Sequence, residues 1–308
     1  MRNAVIEKLT CLAENNEKIF LLVGDVGFGV VEKFEDKYPD RFLNTGIAEQ
    51  NMMGVAAGLA LSDYTVITYT FSNFTTFRCL EQIRNDICYH NLDVKIIGLG
   101  GGYVYGASGV THHGTENVAL MSVLPNMTVI VPCDSLEAQY LFDQSIRRPS
   151  PHYFHLRKTG DRKIYVDGSD VKIGEGSILR DGEDITLIGC GWILNSVLNI
   201  AEKLKGEGYS VRVVSMHTVK PLDEKLVLSC GRETSAIISV EEQVTCALGA
   251  SIAKVLATSR VVNTPLLTLG IDNEFLYESG DQNYLLDKAG LSEEKMYSKI
   301  WKFLDEIK

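Results

Sequence analysis

Glu49 is the single charged residue in the stretch Thr45-Gly46-Ile47-Ala48-Glu49-Gln50-Asn51-Met52-Met53-Gly54-Val55-Ala56-Ala57-Gly58-Leu59-Ala60-Leu61. A carboxylate beside so apolar a run is costly to ionise, so it tends to hold its proton or share it. That is the state required of an acid that protonates a ring nitrogen. The same residue, three positions after Gly46, also suits the first turn of a helix, where it meets free N–H groups and the positive end of the dipole. Local sequence leaves both readings open.

Two other segments carry chemistry-bearing side chains. In Thr70-Phe71-Ser72-Asn73-Phe74-Thr75-Thr76-Phe77-Arg78, the phenylalanines recur every three residues. That spacing puts Phe71, Phe74 and Phe77 on one helical face, as a wall for a flat ring or as plain core. Arg78, with Glu81 and Gln82, reads as a structural continuation of the helix. The loop Gly106-Ala107-Ser108-Gly109-Val110-Thr111-His112-His113-Gly114-Thr115-Glu116 holds two adjacent histidines. Neighbouring histidines point different ways and make poor joint metal ligands, whereas one of them in a cleft can act as an acid–base. A surface or packing role fits as well. Gly98-Leu99-Gly100-Gly101-Gly102 invites a dinucleotide reading, but the third glycine of that fingerprint falls on Tyr103 and no helix follows. A flexible loop that lets backbone approach a ligand or partner chain fits better.

The elements that must position these groups alternate in type. Ile19–Val23, Val66–Tyr69, Val94–Leu99 and Thr128–Val131 are short, rich in Val and Ile, and bounded by Gly, Asp or Pro, which predicts buried strands. Between them, Asn3–Glu14, Val30–Lys37, Ile47–Leu61, Phe74–Tyr89, Glu116–Leu124 and Ser135–Ser145 have helical spacing. Residues 147–176 break the rhythm with prolines and basic residues; Tyr153–Arg157 reads as a crossing strand before a linker. Strands at Ile185–Gly189, Val211–Met216, Ala236–Val240 and Leu266–Leu269 then alternate with helices at Ile193–Lys205, Glu224–Cys230, Ala247–Thr258 and Glu293–Ile307. The expectation is an α/β protein with two doubly wound domains, 1–165 and 178–308, each a parallel sheet covered on both faces.

Composition narrows the function classes. The 308 residues make room for about two domains, and 45% hydrophobic with 23% charged content is ordinary for a globular chain. No apolar run approaches the roughly 18 residues of a membrane span, and the amphipathic start Met1–Glu7 lacks the features of a signal peptide. A net charge of −10 argues against nucleic acid, which needs clustered Lys and Arg. It leaves room for one anionic substrate held by a local pair of cations. Seven cysteines, none in a C-x-x-C pair, predict free thiols in a reducing cytoplasm.

Taken as an ordered set, the segments resemble a known family. Arg41-Phe42-Leu43-Asn44-Thr45-Gly46-Ile47-Ala48-Glu49-Gln50 is similar to the pyrimidine-binding segment of the transketolase and deoxyxylulose-phosphate synthase group, which uses thiamine diphosphate. The phenylalanine segment, Leu80–Asp86, Gly109–His113 and Leu124–Ile130 match the family's next blocks in order. Gly189-Cys190-Gly191 and Val240-Glu241-Glu242 resemble its C-terminal domain. The resemblance implies a pyrimidine-binding domain followed by a transketolase C-terminal-like domain. It implies that Glu49 hydrogen-bonds the aminopyrimidine ring nitrogen and promotes the imino tautomer that deprotonates the thiazolium carbon. Ile47, Phe71, Phe74, Phe77 and Asp25 would bind cofactor. His112, Arg157 and Ser108 would bind substrate, His112 also stabilising or protonating oxygens of the sugar intermediate.

The departures from the pattern are informative. Full-length members carry a Gly-Asp-Gly segment that holds diphosphate and metal; this sequence contains none. The resemblance therefore implies a split enzyme: an N-terminal diphosphate-binding partner subunit holding most of the Mg2+ (or Ca2+) site, and a homodimer of this chain within an α2β2 heterotetramer. Ser108 stands where the family has an aspartate, Gly100–Gly102 lacks its histidine or arginine, and Gly27-Phe28-Gly29 lacks its serine. Losing polar partners changes selectivity strongly, which suggests two-carbon ketol transfer to or from an unusual sugar. A deoxyxylulose-phosphate synthase-like or 2-oxoacid dehydrogenase β-like decarboxylating subunit is the alternative.

Overall fold

The computed structural model describes residues 1–158, 162–168, 170–260 and 263–307. Its first half supplies strands β1 (Ile19–Val23), β2 (Phe42–Asn44), β3 (Thr65–Phe71), β4 (Val94–Leu99), β5 (Thr128–Ile130) and β6 (His152–Leu156). The second supplies β7 (Ser177–Arg180), β8 (Ile185–Gly189), β9 (Val211–Ser215), β10 (Thr218–Lys220), β11 (Ala236–Val244) and β12 (Leu266–Ile271). One sheet has seven strands in the order β10-β5-β6-β4-β3-β1-β2; the other has five in the order β12-β11-β8-β9-β7. The ladders among β1–β6 and among β8, β9, β11 and β12 are parallel. Parallel strands are covered on both faces, which is why β3 and β4 read as unbroken buried runs.

The two halves are not separate in their packing. Strand β10 leaves the second half to pair antiparallel with β5, placing Thr218 opposite Ile130. One apolar cluster runs from Met52, Ile83 and Val129 to Val214, Val219 and Leu248. Glu137, fully buried, ties the halves with polar bonds: its Oε1 accepts from Ser215 Oγ at 2.7 Å and Tyr165 Oη at 2.9 Å, and its Oε2 from Cys133 N at 2.6 Å. A buried carboxylate is tolerable only with its lone pairs filled in this way.

Three sequence expectations are corrected. The strand expected over Tyr153–Arg157 is present one residue earlier, as β6, but lies inside the sheet rather than crossing it, parallel to β4 through Ile97 and Phe154 and to β5 through Val129 and Tyr153. Its polar residues are paired rather than exposed; the His155 ring lies between Tyr153 Oη at 2.9 Å and Gln243 Nε2 at 3.1 Å. The helix expected over Phe74–Tyr89 is broken into Ser72–Thr76, Leu80–Gln82 and a π-helical turn Ile83–Cys88. Buried side chains there bond backbone groups, as in Thr76 Oγ1 to Ser72 O at 2.8 Å and Asn73 Nδ2 to Thr111 O at 3.1 Å. Such bonds compete with the helical ladder. The Gly100–Gly102 segment is pinned rather than flexible, with Gly102 and Gly114 exchanging both N–H···O bonds at 2.8 Å. A Cβ at Gly101 would lie 1.7 Å from His155 Nε2, so the missing side chain serves close packing.

Candidate functional site

The helix Glu49–Leu61 begins at its glutamate and buries Met52, Met53, Ala56 and Ala57 on one side. Ile47 precedes the helix and is 74% exposed. Glu49 itself is 3% exposed, so the sequence correctly placed a carboxylate away from water. It also has a partner within the chain: Arg78 Nη1 donates to Glu49 Oε2 at 3.0 Å. Arg78 was expected to continue a helix; the chain instead turns at Phe77–Cys79, after the Ser72–Thr76 helix, and aims the guanidinium back at Glu49. Arg78 is a candidate that sequence reasoning passed over. Its position four residues after Phe74 offered no signal while the segment was read as one continuous helix.

Beside Glu49 lies an aromatic cluster. Phe71 ends β3 and Phe74 sits in the short helix that follows; their centroids are 5.6 Å apart, nearly edge-on. His112 meets the Phe74 ring at 5.2 Å and the Phe71 ring at 5.9 Å. Tyr105, unremarked in the sequence, packs on Phe71 at 4.8 Å. The Arg78 guanidinium carbon lies 4.0 Å from the Phe74 centroid. Phe77 does not join this wall. It is 48% exposed and lines an open hollow with Gln50, Arg78, Glu81 and Arg84. The spacing of three failed because Phe71 is extended while Phe77 follows the helix end, so no common helical face exists.

The remaining candidates are more dispersed. Asp25 is exposed, with φ +52°, on the loop after β1, and exchanges hydrogen bonds with Asn44. Adjacent Gly24 is packed against Thr70, and a Cβ there would lie 3.7 Å from Glu49 Cγ. Ser108 is exposed in the turn Gly106–Ser108. His113, next to His112, is buried against Tyr103, and burial lowers its pKa. Arg157 sits at a gap between the halves. Its guanidinium stacks on Trp192 at 3.8 Å, and its Nη2 donates to Gln282 Oε1 at 2.6 Å. Gln282 donates in turn to Glu242 Oε1 at 2.6 Å, while buried Arg157 Nη1 has no hydrogen-bond partner among the described residues. Burial raises the Glu242 pKa and lowers that of Arg157. Among the described residues, no three His, Cys, Asp or Glu side chains gather as a metal site.

Comparison with known proteins sets this geometry in a family. Residues 1–160 match the model for the transketolase pyrimidine binding domain, and 174–296 match that for the transketolase C-terminal domain. The chain belongs to the transketolase family. It is 33% identical to the 6-deoxy-6-sulfo-D-fructose transketolase subunit SqwH of Clostridium sp. (strain MSTE9), covering 95% of this chain and 90% of that protein. It is 31% identical to an apulose-4-phosphate transketolase subunit of Phocaeicola vulgatus, covering 94% of each. A solved structure described as a split gene transketolase, inactive beta4 tetramer, superposes with a TM-score of 0.87 at 33% identity, over 98% of this chain and 96% of that one. Relatives among the 1-deoxy-D-xylulose-5-phosphate synthases are about twice as long; one from Geobacter sulfurreducens is 31% identical, and this transketolase-family chain spans 46% of it. Among the described residues, no helix is long and apolar enough to cross a membrane.

Proposed function

We propose that this chain is one subunit of a split transketolase that moves a two-carbon ketol unit between sugars or sugar derivatives with thiamine diphosphate. The observation that carries the reading is the slot between Glu49 and Phe74. It already accommodates a planar N–H donor, at hydrogen-bond distance from a buried carboxylate and in contact with an aromatic face. An aminopyrimidine ring asks for the same two contacts. Bound there, the cofactor supplies a carbon nucleophile for cleaving and forming the carbon–carbon bond. Glu49 holds the proton shared with the ring nitrogen. Phe71 and Phe74 line the ring, with Ile47, Phe77 and Asp25 at its rim. His112, edge-on to both phenylalanines, faces the sugar oxygens as donor, and Ser108 and Arg157 read groups farther along the substrate.

The reading extends to the rest of the assembly. Ile47, two residues before Glu49, and Phe77, next to Arg78, are 74% and 48% exposed, which supports a partner subunit packed over them. That subunit carries the diphosphate and the Mg2+ or Ca2+ ion, and two copies of each chain make an α2β2 heterotetramer. The division into a pyrimidine-binding domain over 1–165 and a C-terminal domain over 178–308 is supported by the two sheets apart from β10, which crosses to pair with β5. The seven free cysteines support a cytoplasmic setting. The relatives named for a sulfo-sugar and for apulose 4-phosphate support a substrate outside the ordinary sugar phosphates.

Co-expression with a candidate partner bearing the Gly-Asp-Gly segment, followed by thiamine diphosphate titration and assays of ketol transfer from ketoses to aldoses, tests the reading. We expect saturable binding and transfer by the complex only. A complex that binds no cofactor, or that releases carbon dioxide from 2-oxoacids without ketol transfer, overturns it.

A further inference from the structure

The arginine at the slot has a geometry that goes beyond pairing a carboxylate. A guanidinium is planar, and two features of Arg78 coincide on it: Nη1 donates to Glu49 Oε2 at 3.0 Å, and the guanidinium carbon lies 4.0 Å from the Phe74 centroid. These are the contacts that a flat heterocycle would need in order to bond Glu49 and stack on Phe74. Phe74 has two faces, and its surroundings are also occupied by Phe71 at 5.6 Å and His112 at 5.2 Å, both steeply inclined. Only a ring on the side facing Glu49 can make both contacts, and the guanidinium lies on that side.

We propose that Arg78 is an internal stand-in for the cofactor ring: it fills the Glu49–Phe74 slot in the unloaded chain and must leave before the ring enters. The inference rests on the proposed function and adds to it a residue that sets how tightly the slot takes its ring. Arg78 is free to make the exchange. Its side chain is 47% exposed while that of Glu49 is 2% exposed, so the guanidinium can swing into water without dragging the carboxylate. It already borders the open hollow with Phe77, Glu81 and Arg84, and the Glu81 carboxylate three residues on receives the displaced cation. Vacated by Arg78, Glu49 keeps its buried position and passes its hydrogen bond from guanidinium to ring. The stand-in thus shields a buried carboxylate from being left unpaired, which is costly, at the expense of competing with the ligand.

The sign of one substitution separates this role from a supporting one. Calorimetric titration of thiamine diphosphate into the heterotetramer should show Arg78→Ala binding roughly three- to tenfold more tightly than wild type, as the loss of a half-exposed ion pair and a cation–π contact implies. Equal or weaker binding by Arg78→Ala, with wild type binding normally, overturns the inference and leaves the functional reading standing. Failure of both proteins to bind removes the functional reading and this inference with it. A crystal structure of the wild-type complex gives a second measurement that does not depend on the variant. With cofactor bound, Arg78 Nη1 should lie well beyond 4 Å from Glu49; retention of the pair overturns the proposal.

Discussion

The guanidinium of Arg157, just past the end of β6, stacks 3.8 Å from the Trp192 ring of the second half. Gln282 takes its Nη2 and passes the contact on to Glu242. Three residues from beyond the linker therefore hold one cation of the first sheet in a fixed orientation. We expect Arg157→Gln and Trp192→Ala to be coupled by about 0.5–1 kcal/mol in a double-mutant cycle of urea unfolding. A coupling near zero would mean that the stack is geometric only, and that Trp192 plays no part in aiming Arg157.

Glu49→Gln keeps the shape of the side chain and removes its acid. Under the proposed role, kcat of the reconstituted complex should fall by at least about a hundredfold. The melting temperature of the chain should move by only a few degrees, because the Arg78 released from its partner is half-exposed and can hydrate. Turnover within tenfold of wild type would argue that the proton is supplied elsewhere.

The aromatic cluster ranks two phenylalanines. Phe74 touches Phe71, His112 and the Arg78 guanidinium, while Phe77 lies half in solvent. Phe74→Ala should weaken thiamine diphosphate binding by about three- to tenfold, the range of a lost ring–ring contact, and Phe77→Ala by less. The reverse order in a side-by-side titration would move the ring out of the cluster and onto the rim.

Acid should destabilise the fold through His155. Burial keeps its imidazole neutral, with the pKa lowered from 6.5 to about 4, while Gln243 Nε2 donates to its Nε2 and leaves Nδ1–H for the Tyr153 hydroxyl. Across that window the unfolded chain binds a proton that the folded chain refuses. Stability is therefore complete above about pH 6.5 and is lost as pH falls toward 4, by roughly 3 kcal/mol for this group. His152, lowered to about 3 by burial, acts in the same direction. Urea midpoints measured from pH 7 down to about 4.5 should fall steadily for wild type and less steeply for His155→Gln.

The sequence by itself determined the class of the fold and most of its elements, because parallel strands buried on both faces must be written as short Val- and Ile-rich runs such as Val94–Leu99, and the helices between them as stripes such as Met52, Met53, Ala56 and Ala57. It also marked Glu49, since a lone charge in an apolar stretch is visible in one dimension. What it did not contain was the company each residue keeps. Strands β2, β7 and β10 are three or four residues long, too short to show a period. The break after Thr76 depends on bonds to residues nearly forty positions away, such as Asn73 to Thr111. That break decides that Phe77 leaves the aromatic wall and that Arg78 turns back to Glu49. Trp192, Gln282 and Glu242 reach Arg157 only through packing of the two halves. Local patterning reports how much a residue is buried; which partners it finds there is settled by contacts between distant segments, and only the tertiary structure brings those together.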